Sequence, residues 1–181
     1  RAQYSAAKGY SPPFTCLKDY MAVAINKTTE AGLCNGFTAG TMSAADLIYK
    51  VAESCGISAK VLLVTLQKEQ SLVTDDWPWP AQYQKAMGYG CPDTAPCDAQ
   101  YYGLFNQLYN AARQFKRYAK EPGLFNYALG RNSFIQYQAN NTACGGSYIT
   151  PSTAATAALY NYTPYQPNAA ALANLYGTGD S

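Results

Sequence analysis

One glutamate stands where an apolar side chain is expected. In residues 57–73, Leu62, Leu66, Glu69 and Val73 recur at spacings of four, three and four. On a helix these positions form one stripe, so Glu69 shares a face with leucines and a valine. Burial on such a face disfavours the charged carboxylate and raises its pKa, which keeps a proton donor available near neutral pH. That property is required of the acid in glycoside cleavage. The same spacing also fits a helix end at which Glu69 turns outward to solvent, and both readings stand at this stage.

What the chain lacks narrows the chemistry further. Its 181 residues contain no histidine, so neither a Ser-His-Asp nor a Cys-His arrangement can be assembled. No Gly-rich phosphate-binding motif of the GxGxxG or GxxxxGK type occurs, and no cofactor is called for. Six cysteines (Cys16, Cys34, Cys55, Cys91, Cys97 and Cys144) are present without a CxxC pair, which argues against a zinc site and for disulfides. The short Pro-containing loop from Cys91 to Cys97 is the pairing expected; the remaining connectivity stays open. The formal charge is only +2, from 13 basic and 11 acidic residues scattered singly, so no basic run offers itself to nucleic acid or anionic lipid. No apolar run is long enough to cross a membrane. Low charge, 17 tyrosines and an even cysteine count predict a secreted or cell-surface protein. No leader is visible at Arg1, so any export signal is expected to have been removed or to lie outside this sequence.

The elements that must position Glu69 are helical. Ser43-Ala-Ala-Asp46 predicts a capped helix start, with Leu47, Ile48, Val51 and Ala52 as its buried stripe up to Gly56. Ser58 predicts the cap of the next helix, which carries Glu69, and the prolines of Trp77-Pro-Trp-Pro80 stop it. Residues 81–102 read as loop, and 102–119 as a long amphipathic helix through Leu104, Leu108, Ala111, Ala112, Phe115 and Tyr118. Residues 127–150 have room for a short hairpin, and 153–162 and 168–176 read as alanine-rich helices. Before all of these, residues 1–41 read as irregular, with one short helix around 16–26. The expectation is a mainly α domain over 42–181, stapled by disulfide, with 1–41 packed on it or preceding it.

With the helices placed, three segments resemble the lysozyme-like fold of soluble lytic transglycosylases and goose-type lysozymes. The helix ending in Glu69-Gln70-Ser71 is similar to their catalytic helix, although Gln70 separates the glutamate from the serine. Gly103-Leu104-Phe105-Asn106-Gln107 resembles their Gly-Leu-Met-Gln segment, with Phe105 in place of methionine and the glutamine one residue late. Ala158-Leu159-Tyr160-Asn161 resembles their Ala-Tyr-Asn segment, followed here by Tyr162-Thr163 rather than Ala-Gly. The stretch from about residue 43 to 176 also looks like lysozyme-like domains of actinobacterial cell-wall-associated proteins.

The resemblance implies peptidoglycan glycan strands as substrate, with Glu69 protonating the oxygen between N-acetylmuramate and N-acetylglucosamine. It implies a monomer, or a part of a longer cell-wall protein, and no metal. A hydrolase needs a second carboxylate, about 6.5–9.5 Å away for an inverting enzyme or about 5–5.5 Å for a retaining one. Asp75, Asp76 and Asp93 are the candidates. A lytic transglycosylase needs none, because the sugar's own 6-hydroxyl attacks and a 1,6-anhydro end results. Tyr160, Asn161, Gln107, Gly103, Phe105, Tyr102 and Trp77 are the expected substrate-binding residues, with aromatic faces suited to pyranose rings; the Gln107 and Asn161 amides fit either N-acetyl groups or buried backbone. A glycan-binding module that has lost catalysis fits the same scaffold, as does a disulfide-rich coat domain.

Overall fold

The computed structural model of the chain describes residues 1–138 and 141–174. Helices dominate the described residues, accompanied by two small antiparallel hairpins. The chain divides into two compact units, Arg1–Lys116 and Arg117–Ser181, and the division falls inside a long helix.

The first unit begins with a six-residue helix, α1 (Ala2–Ala7). A 3-10 turn at Leu17–Asp19 leads into strand β1 (Met21–Ala24), which pairs antiparallel with β2 (Gly40–Ser43), Met21 opposite Ser43 and Ala24 opposite Gly40. Ala22 and Ala24 face inward while Met21 and Val23 face out, the period-two alternation of a half-buried strand. The helix expected around 16–26 is therefore a single turn followed by a strand, and residues 1–41 carry short regular elements between irregular stretches. Alternating small and apolar residues over 21–25 satisfy a strand better than a helix once a partner strand lies alongside.

Helix α2 (Ala44–Cys55) starts where Ser43 accepts the Asp46 N–H at 3.1 Å and ends at Gly56 with φ 59°. This is a serine N-cap and a left-handed glycine stop. Helix α3 (Ala59–Gln70) is capped by Ser58, then α4 (Pro80–Gln84) opens with proline in its first turn. Helix α5 (Leu104–Lys120) supplies Leu104, Phe105, Leu108, Ala111, Ala112 and Phe115 to the core, where Leu47, Val51, Leu62 and Leu66 are fully buried. Each of these buried leucine, valine and phenylalanine side chains stabilises the fold by about 1.5–3 kcal/mol. Two disulfides staple this unit: Cys34–Cys55 ties the loop beyond β1 to the end of α2, and Cys91–Cys97 closes the expected loop.

In the second unit β3 (Ser133–Gln136) pairs antiparallel with β4 (Gly146–Ile149), inside the span expected to hold a hairpin. Helices α6 (Ala154–Tyr162) and α7 (Ala169–Ala173) follow. Residues 175–176 of the last expected helix lie outside the described residues. Ile135 is the buried centre of the hairpin, and buried Gln166 donates to Ile135 O and Ser147 Oγ, both at 2.8 Å. The mainly α expectation omitted the β1–β2 hairpin, because its strands are only four residues each.

Candidate functional site

Glu69 is the penultimate residue of α3, and Ser71 ends the helix in a left-handed conformation with φ 56°. Leu62 and Leu66 on its stripe are fully buried, but Val73 lies beyond the helix and is 46% exposed. The stripe thus stops at Glu69, whose side chain keeps 25% of its surface accessible and lies 3.3 Å from Lys68 Nζ. The position is a cleft lip, intermediate between the buried and outward readings. Opposite the carboxylate stands Gly88, at φ +68°; a methyl group there would lie 2.7 Å from Glu69 Oε2. The absence of a side chain at Gly88 is what lets the carboxylate lie against that backbone.

Gln107 holds the Gly88 segment in place from α5. Its Oε1 accepts from the N–H groups of Met87 at 3.0 Å and Tyr89 at 3.1 Å. Its Nε2 donates to Tyr89 O at 2.9 Å and Tyr101 O at 2.8 Å. The side chain is fully buried, so all of its polar capacity is spent on loop backbone and none reaches a ligand. Of the two roles open to Gln107 from sequence, an N-acetyl contact or satisfaction of buried backbone, its geometry matches the second and makes it a positioning residue for the loop facing Glu69.

A cleft of about 750 Å³ opens beside Glu69. Gln70, Ser71, Asp75, Trp77, Trp79, Gln82 and Lys85 line it, along with Arg1, Tyr4, Ser5 and Tyr10 from the N-terminal segment. The turn after α3 is built around Asp75: Oδ1 accepts from Trp77 N–H at 2.8 Å, and Oδ2 from Gln82 Nε2 at 3.0 Å. Gln82 also donates to Gln70 O at 2.7 Å and accepts from Trp79 N–H at 2.6 Å. One glutamine side chain thus ties the end of α3 to the start of α4 and sets both tryptophans on the cleft wall.

Of the expected site residues, the structure brings Glu69 and Trp77 together in this cleft, and with them Asp75, the third acid weighed above. Asp76 does not line it; its carboxylate pairs with Arg1 and is 78% exposed. Asp93 is exposed within the Cys91–Cys97 loop and does not line it either. Phe105 is buried with its ring 5.0 Å from that of Phe37, while Tyr102 and Gly103 line a separate hollow beside β1. Tyr160 and Asn161 belong to the second unit. There Asn161 exchanges hydrogen bonds with the backbone of Tyr127, at 2.7 and 3.0 Å, and the Tyr160 ring lies 6.1 Å from that of Tyr127. Among the described residues no group of three potential metal ligands occurs. Sequence reasoning missed Gly88, Gln82 and the residues 1–10. For Gln82 a signal existed, since Trp79-Pro-Ala-Gln82 has the spacing of a helix-capping glutamine.

Compared with family models, curated proteins and solved structures, the chain gives no match. The likeness to lysozymes and transglycosylases therefore rests on its sequence motifs alone.

Proposed function

We propose that this chain cleaves peptidoglycan glycan strands between N-acetylmuramate and N-acetylglucosamine, outside the cell at a bacterial wall, with Glu69 as general acid and then base. The observation that carries this reading is the half-buried Glu69 carboxylate, seated against Gly88 at the lip of an open cleft that also holds Trp77 and Trp79. A flat aromatic wall suits pyranose faces, and a partly desolvated carboxyl suits proton transfer to a leaving oxygen.

The lone-glutamate mechanism is favoured by Asp75. It is the second acid lining the cleft, yet both its oxygens are held by Trp77 N–H and Gln82 Nε2. In that mechanism Glu69 gives its proton to the glycosidic oxygen as the C1–O bond breaks. The carboxylate then takes the proton of the muramate 6-hydroxyl as O6 bonds to C1, which regenerates the acid and consumes no water.

The test is a digest of purified peptidoglycan by the wild type and Glu69→Gln, with the released muropeptides weighed by mass spectrometry. The expected products are 1,6-anhydro ends, lighter by one water than reducing ends. Glu69→Gln is expected to lose about 10²–10⁴-fold in rate with its melting temperature held or raised. Reducing ends would assign a muramidase and make Asp75→Asn the next variant. Binding to the wall with no release would assign a glycan-binding module instead.

A further inference from the structure

The tryptophan wall of the cleft is already occupied by the chain itself. Trp77 Nε1 and Trp79 Nε1 both donate to one acceptor, Ser5 Oγ, at 3.2 and 2.9 Å. That hydroxyl is 1% exposed and spends both lone pairs on the two indoles. The Tyr10 ring stacks on Trp79 at 4.9 Å, Tyr4 lies 5.6 Å from the same ring, and Phe14 lies 4.9 Å from Trp77. The faces and N–H groups that a sugar would use are thus engaged by residues 4–14.

The segment that makes these contacts is otherwise mostly exposed. Of helix α1 only Ser5 is buried, so the segment is tied down mainly through the indole contacts just described. Among the described residues a further anchor is the exposed Arg1–Asp76 pair, of a kind that contributes little. Gly9, at φ +79° with open space around it, separates α1 from the better-anchored stretch that follows. There Tyr83 donates to Thr15 O at 2.6 Å. Firm contact through a few side chains combined with exposure elsewhere is the physical description of a detachable strap.

We infer that residues 1–10 form an autoinhibitory strap, latched through Ser5 and Tyr10, that covers a saccharide-binding face made of Trp77 and Trp79 and must lift for an N-acetylglucosamine-containing glycan to bind. The inference rests on the saccharide reading of the Glu69 cleft.

Trp77 and Trp79 are the only tryptophans in the chain, so tryptophan fluorescence, excited beyond the absorption of the tyrosines, reports on this wall. Tyr10→Ala and Ser5→Ala in the full chain are expected to increase acrylamide quenching while the fold, followed by circular dichroism, persists; Tyr10→Phe keeps the stack and stays like wild type. The N-acetylglucosamine tetramer is the probe ligand, used in a Glu69→Gln background so that it is not turned over. A strap closed about nine-tenths of the time weakens apparent affinity about tenfold, so Tyr10→Ala is expected to tighten tetramer binding by up to that factor. Saturating tetramer is expected to speed hydrogen exchange of the α1 amides. Weaker binding by Tyr10→Ala, or α1 amides slowed by tetramer, would overturn the strap and make the segment a wall of the site, leaving the saccharide reading intact. Unchanged quenching in both alanine variants would also overturn it. Uncovered tryptophans with no tetramer binding by any variant would overturn the saccharide reading, and the strap's role with it.

Discussion

At the scale of single residues, the proposed chemistry turns on how closely the Gly88 backbone approaches Glu69. A side chain at Gly88 meets two penalties: its φ of +68° is left-handed, and its Cβ falls 2.7 Å from the carboxylate oxygen. Left-handed backbone at a non-glycine residue costs about 1–2 kcal/mol, and the carboxylate must also swing aside. Gly88→Ala is therefore expected to lower the unfolding free energy measured in urea by at least that amount and to reduce peptidoglycan cleavage by far more than the stability loss explains, mainly in kcat. Equal kcat with lowered stability would separate the Gly88 contact from the chemistry. Glu69 was legible from the sequence because helical spacing placed it on the stripe of Leu62 and Leu66. Gly88 was not, because its approach is made through space from a loop, and nothing in Met-Gly-Tyr-Gly encodes which side chain that loop will meet.

At the scale of elements, two devices hold the site's surroundings in register, and each yields a measurement. Gln107 on α5 satisfies four backbone groups of the loop running from Met87 to Tyr101. Gln107→Leu fills the same space but strands those groups, and each buried polar group left unpaired costs about 1–3 kcal/mol before water compensates. The expected outcome is a loss of about 2–5 kcal/mol in urea denaturation, with the loop turned into the first site of proteolytic cleavage. A loss of glycan affinity without loss of stability would restore Gln107 to the ligand. The second device is the pair between Arg113 on α5 and Glu30, in the turn between β1 and β2, with Arg113 Nε 2.7 Å from Glu30 Oε1. The hydrogen bond from Arg113 holds the Glu30 carboxyl below its ordinary 4.5; the charges of Arg113 and Lys27 add to this and burial opposes it. A lowered carboxylate pKa contributes stability that is fully present above the unfolded value and is lost as pH falls through the folded one. Melting temperature should thus fall as pH drops below 4.5, and more steeply in wild type than in Glu30→Gln. Identical acid slopes would remove the pair from the account. The helices α2, α3, α5 and α6 were readable because Ser43, Ser58 and Thr153 cap starts and apolar stripes run behind them. The β1–β2 hairpin was not, since four-residue strands of small and apolar residues carry too short a pattern to exclude a helix.

At the scale of the whole molecule, the disulfides divide the labour between stability and site. Cysteine count and loop composition made the Cys91–Cys97 pairing legible, whereas Cys34–Cys55 depends on the hairpin loop returning to the end of α2, a long-range event that spacing does not reveal. The two bonds span 21 and 6 residues of sequence. Loop-closure entropy makes the longer one worth about 3 kcal/mol and the shorter about 2 kcal/mol. Their surroundings lead to the reverse order for the proposed cleavage. The short loop is hydrogen-bonded directly to the segment facing Glu69, through Cys91 N–H to Gly88 O at 3.2 Å and Asp98 N–H to Gly90 O at 2.8 Å. The long bond instead braces the hairpin loop against α2. Replacing Cys34 and Cys55 by serine is therefore expected to lower the urea midpoint more while sparing the cleavage rate of the protein that remains folded. Replacing Cys91 and Cys97 is expected to lower the midpoint less and to cut that rate several-fold, because Gly88 loses its support on one side. Rates that fall only in proportion to unfolding, in both double variants, would mean that the loop merely closes the fold and that Gln107 alone keeps Gly88 against the carboxylate.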